Sequence, residues 1–177
     1  MAKTKIKMSV GLVVVTHDLN GNLVAVLQRR GPYNHEKAWV RENYPGGCQV
    51  TVHGGVGEDE TVDRALFRET VEELGPTFAH KCLNCGHPLG GLTQVFNDGE
   101  VLTFARYVDR GELSHIRWGP SSGGIEFVSA EDIPDISDLG FYDKNLGVIH
   151  LNNIAMFPDE IRAVKIALDC FKDIHIP

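Results

Sequence analysis

Residues 60–74 set the strongest constraint on this chain, because they read as a helix whose carboxylates stand where a helix disfavours them. Val62, Ala65, Leu66 and Thr70 recur at helical spacing along one stripe. Gly75-Pro76 then predicts a stop, since glycine supplies the capping conformation and proline cannot continue the hydrogen-bond ladder. Glu72 and Glu73 fall in the last turn, where the helix dipole favours cations instead. At about 100° per residue, Glu69, Glu72 and Glu73 share one arc that overlaps the apolar stripe. Glu69 and Glu73 are also a like-charged i,i+4 pair. A solvated acidic face would lie opposite the stripe; this one adjoins it. Carboxylates at the edge of a core need a counter-charge, and oxygen donors of this kind suit Mg²⁺ or Mn²⁺.

Gly54, Glu60 and the run Arg68-Glu69-Thr70-Val71-Glu72-Glu73-Leu74-Gly75-Pro76 together resemble the Nudix box, the signature of the Nudix hydrolases. Every charged and glycine position of the box is present over residues 54–76. Thr70 and Pro76 stand where that family usually has aliphatic residues, and neither change removes a charged group. The resemblance implies an α/β protein, a Nudix-type α/β/α sandwich with a mixed β-sheet. It also implies a hydrolase that splits the diphosphate linkage of a nucleoside diphosphate joined to another moiety. Carried onto this sequence, it makes Glu69, Glu72 and Glu73 metal ligands and gives Gly54 a backbone role at the metal. Arg68 would orient Glu60 or Glu69 through a charge-assisted bond.

The chemistry agrees with the composition of the box. The anionic oxygens of a diphosphate repel a nucleophile, and Mg²⁺ or Mn²⁺ offsets that charge and activates water. One glutamate then takes the water proton. The sequence leaves open which one, in the box or on a later loop, where Glu126 is the main candidate and Glu112 a weaker one.

The rest of the chain frames this segment. At 177 residues with 42% apolar content, it is expected to form a single domain over residues 1–177. A net charge of −7 disfavours nonspecific binding to nucleic acid or anionic membranes, and leaves a small-molecule diphosphate as the expected partner. No apolar run is long enough to span a bilayer, and the Lys-rich start lacks a cleavage pattern, so a cytoplasmic protein is expected. A homodimer stays open, as many Nudix proteins are dimers.

Residues 5–16 and 23–30 read as strands around an Asp18–Asn22 turn. The second ends in Arg29-Arg30, either of which is a candidate substrate contact. Residues 31–48 form a long irregular stretch whose Trp39 and Arg41 are candidate substrate groups, with the alternative that Trp39 anchors the loop on the core. A short strand over residues 49–53 leads into the box and places His53 beside Gly54. Residues 92–96 and 101–108 form a hairpin about Asn97-Asp98-Gly99, and residues 123–130 give another strand. Pro158-Asp159-Glu160 opens a last helix with Ile161, Val164, Leu168 and Phe171 buried and Cys170 in the core.

A second constellation, Cys82-Leu83-Asn84-Cys85-Gly86-His87, resembles one knuckle of a zinc ribbon. The second pair is missing, so His80 or His87, Cys48, or another subunit would have to complete a structural Zn²⁺ site. Free thiols in a reducing compartment are the favoured reading. Two further functions compete with hydrolysis. An isomerase resembling isopentenyl diphosphate isomerase would need a cysteine near the box, where Cys48 is the candidate. A non-catalytic Nudix-like binding module would be marked by loss of box glutamates, and none is lost.

Overall fold

The computed structural model describes residues 8–35, 38–83, 89–150 and 152–174. Its organising element is β1 (Ser9–His17), an almost wholly buried apolar strand. A strand with no polar face has to be covered on both sides. β1 pairs antiparallel with β2 (Leu23–Arg30), setting Val14 opposite Val26, and the Asp18 carboxylate closes the intervening turn by accepting from the Asn20 and Asn22 amides. On its other edge β1 runs parallel to β8 (Val101–Tyr107), which forms a hairpin with β7 (Thr93–Asn97). β9 (Ser122–Val128) extends the sheet beyond β2.

The strand expected over residues 49–53 is two pieces. β5 (Cys48–Gln49) pairs with β2, and β6 (Val52–Gly55) pairs with the first half of β1. At the switch, the Thr51 hydroxyl donates to the Val26 carbonyl and accepts from the Val14 amide, replacing ladder bonds the chain cannot make while changing partners. In the long stretch after β2, β3 (Tyr33–Asn34) and β4 (Val40–Arg41) form a small exposed ladder.

Alternation sends the two sides of β1 to different layers. Val10, Leu12 and Val14 join Val26, Val52 and Phe104 against Ala65, Leu66 and Leu74 of α1 (Val62–Leu74), and against Phe78 and Cys82 of α2 (Pro76–Cys82). Val13 and Val15 join Ala25, Leu27, Cys48 and Val50 against Ala163, Val164, Ala167 and Leu168 of α3 (Pro158–Phe171). The result is an α/β/α sandwich about a mixed sheet. No helix among the described residues is long and apolar enough to cross a membrane.

Three local expectations change. Gly75-Pro76 ends α1 but also begins α2: Gly75 takes a positive φ of 86° that redirects the chain, and Pro76 then occupies a first-turn position where its missing N–H costs nothing. Cys170 is exposed, because the buried stripe of α3 runs through Glu160, Ala163, Val164, Ala167 and Leu168. Trp39 does not anchor its loop on the core; it is 60% exposed with a positive φ of 61°.

Candidate active site

The site grows from a close approach between β6 and α1. Gly54 sits opposite Val10 in the sheet, and the space a β-carbon would need at residue 54 is filled by the Glu69 carboxylate. Glycine is required here by contact rather than by backbone angle. Glu69 is thereby held at the sheet surface, 6% exposed, one turn before the end of α1. One turn on, Glu73 Oε2 accepts from the His53 amide at 3.3 Å. Burial, reinforced by Arg30, pulls the His53 imidazole down to about 4, so it is neutral at physiological pH.

Arg68 supplies the counter-charge. Its Nε and Nη2 donate to the two Glu60 oxygens at 3.0 Å each. Nη1 donates to Glu69 at 2.7 Å and to Glu72 at 3.2 Å, and Nη2 also reaches the Gly55 carbonyl at 2.8 Å. Only a planar fork with donors on three nitrogens serves so many acceptors at once. The hydrogen bond from Arg68, aided by the Gly57 amide, holds the Glu60 carboxyl below its ordinary value. The Glu60 bond in turn raises the Arg68 guanidinium above its own.

Glu69, Glu72 and Glu73 line one side of a cleft of about 520 Å³. The lining also takes in Gln28, Arg29 and Arg30 of β2, Gln49 of β5, and Asn34 and Glu42 from the long stretch after β2. Glu42 ties these residues together, accepting from Asn34 Nδ2 at 3.0 Å and lying 3.6 Å from Arg30 Nη1. Among the described residues, no three His, Cys, Asp or Glu side chains already enclose a metal-sized space. The donor set still fits Mg²⁺ or Mn²⁺: Glu69 and Glu72 place oxygens on one guanidinium nitrogen, and Gly54 removes the atom that would push Glu69 away.

A MutT/Nudix family protein from Enterococcus faecalis superposes on 98% of this chain with a TM-score of 0.55 at 13% identity. The chain has the Nudix fold. It spans 64% of the length of that Enterococcus protein. The C-terminal domain of mouse MUTYH, solved in complex with human PCNA, matches 98% of the chain and 94% of its own length, at 12% identity and a TM-score of 0.50. No family sequence model and no curated protein sequence matches the chain.

Within this Nudix fold the box residues converge, while several residues expected beside them do not. Arg29 and Arg30 both line the cleft, and the Arg29 guanidinium is held there by Glu126 at 2.6 Å, the Gly46 carbonyl at 2.8 Å and the Asn153 carbonyl at 3.3 Å. Alternation along β2 puts Arg29 on the face of Leu27, whose side chain joins the α3-side core. Glu126, paired with Leu27 on β9, is thus an ion-pair partner of Arg29 and does not line the cleft. Trp39, in the turn before β4, and Arg41 on β4 are exposed and also outside the cleft lining. Glu112 caps a 3₁₀ turn by accepting from the Asp109 amide at 3.1 Å.

Cys48 is buried in the α3-side core, and desolvation pushes its thiol up to about 12. A thiol so placed does not supply the acid–base group an isomerase would need at the box. Cys82 is buried under α1 with its thiol likewise pushed up to about 12, while Cys85 and His87 lie outside the described residues. Sequence reasoning missed Gln28, Gln49, Asn34 and Glu42. The available signal was Gln28 and Arg30 continuing the inward-facing positions of an otherwise apolar strand.

Proposed function

We propose that this protein is a divalent-metal-dependent hydrolase of the Nudix type, cleaving the diphosphate linkage of a nucleoside diphosphate joined to another moiety. The observation that carries this reading is the gathering of Glu69, Glu72 and Glu73 on one wall of the cleft, with Glu69 seated in the space left by Gly54. Those three side chains would hold Mg²⁺ or Mn²⁺, which supplies the positive charge that a phosphoanhydride needs before water can attack it.

The protein's own residues do the rest. Arg68 fixes the Glu60, Glu69 and Glu72 carboxylates so that they are preorganised before substrate arrives. Arg30, in the same cleft lining, offers a cation to a substrate phosphate. One of these carboxylates, through an oxygen not bound to the cation, would take the proton from the attacking water. Retention of all three box acids favours catalysis over a binding module.

The test is phosphate-containing product from a panel of nucleoside diphosphate sugars, dinucleoside polyphosphates and nucleotide cofactors with Mg²⁺ or Mn²⁺. Turnover of at least one member, abolished by a chelator and by Glu69→Gln, is expected. No turnover of any member would leave the binding-module reading in its place.

A further inference from the structure

Gln28 and Gln49 form a pair that the hydrolytic chemistry does not use. Both are buried, at 4% and 8% exposure, and both line the cleft that the box acids line. Neighbouring strands set them opposite each other, and Gln49 Nε2 donates to Gln28 Oε1 at 2.8 Å. Their bond leaves the Gln28 amide group and the Gln49 carbonyl oxygen for a ligand. Reversing both carboxamides changes which residue donates and keeps the outcome: one free donor beside one free acceptor. A polar pair this deeply placed has a high cost of desolvation unless a ligand or water meets both groups.

The surroundings narrow the ligand. The same cleft is lined by Arg30, Asn34 and Glu42, all strongly polar. Tyr33 and Trp39 are exposed and lie outside the lining, whose rings among the described residues are the imidazoles of His35 and His53, so the cleft is lined mainly by hydrogen-bonding groups. Vicinal hydroxyls, each able to donate and accept, match a free donor beside a free acceptor. Gln49 lies five residues before Gly54, at most about 17 Å along an extended chain. That places the pair within reach of a sugar attached to a diphosphate held at the box.

We propose that the Gln28–Gln49 pair is the specificity-determining element of the cleft, and that it reads a vicinal diol of a sugar on the far side of the diphosphate. The inference rests on the diphosphate reading of the site, and a binding measurement keeps its failure separate from failure of hydrolysis. Calorimetry with Ca²⁺ replacing Mg²⁺ would compare UDP-glucose and ADP-ribose with UDP and ADP, on the full chain and on Gln28→Met and Gln49→Met. At least one sugar nucleotide is expected to bind tenfold or more tightly than its bare nucleotide. Either substitution, or removal of one sugar hydroxyl as in UDP-2-deoxyglucose for UDP-glucose, should remove that margin. Equal affinity of the unmodified protein for sugar-bearing and bare nucleotides overturns the proposal, as does an unchanged margin in folded variants. The deoxy-sugar comparison decides the matter even if a variant does not fold.

Discussion

Gly54 and Glu69 occupy one another's space: the carboxylate of the helix residue fills the position where any other residue at 54 would carry its β-carbon. A helix can present an acid to the sheet surface here only because the sheet has nothing at that point. Gly54→Ala should therefore displace Glu69 while leaving the buried faces of β1 and α1 intact. The expected result is a ~10²-fold loss of turnover. Steady-state kinetics with Mg²⁺, alongside a thermal melt to establish folding, checks it.

Arg68→Lys keeps the charge and loses the fork. A single ammonium cannot serve the two Glu60 oxygens, Glu69, Glu72 and the Gly55 carbonyl together. Weakened orientation of the acids should lower metal affinity or activity by roughly 10–100-fold. Titrating turnover against Mn²⁺ would reveal the shift, and an unchanged metal requirement would assign Arg68 to helix stability alone.

Glu126 gives the opposite expectation. Its carboxylate holds the buried Arg29 at 2.6 Å on the α3 side of the sheet. Glu126→Ala should lower unfolding free energy by about 2–3 kcal/mol, measured in urea, because a buried guanidinium loses a charge-assisted bond. Turnover by the folded variant should stay close to that of the unmodified protein. A large fall in turnover without loss of stability would return Glu126 to the chemistry.

Glu160, in the first turn of α3, is pushed up from 4.5 to about 7 by burial, with Arg30 opposing. The folded state then binds this proton more tightly than the unfolded chain does. Its contribution to stability is complete below about pH 4.5 and is lost as pH rises through about 7. The decline is on the order of 3 kcal/mol across that window. Glu160→Gln should flatten it, so the difference between variant and parent should widen in the variant's favour from pH 5 to pH 8, as read from urea midpoints.

Much of the frame is legible locally. The stripe of Val62, Ala65 and Leu66, the Asp18–Asn22 turn and the opening of α3 at Pro158 each depend on neighbours within a few residues. Their backbone periods and turn chemistry carry the information. The box acids were legible for a different reason, since their spacing matches a known signature. Pro76 illustrates an ambiguity: proline ends one helix and begins another, and only the φ of Gly75 tells which. Glu126 and Arg29 are 97 residues apart, and Gln28 and Gln49 are 21 apart. Which face each side chain takes depends on the register of β2 with β5 and β9, which no local pattern supplies.

On the proposed reading, acids at the tail of α1 are tolerated at the sheet because they hold a divalent cation. Calorimetric titration with Mn²⁺ of the parent protein and of Glu69→Gln, Glu72→Gln and Glu73→Gln tests it most directly. The expected result is saturable uptake by the parent that each substitution weakens, most of all Glu69→Gln. Absence of uptake by the parent, or uptake indifferent to all three substitutions, would rule out a metal site at these acids.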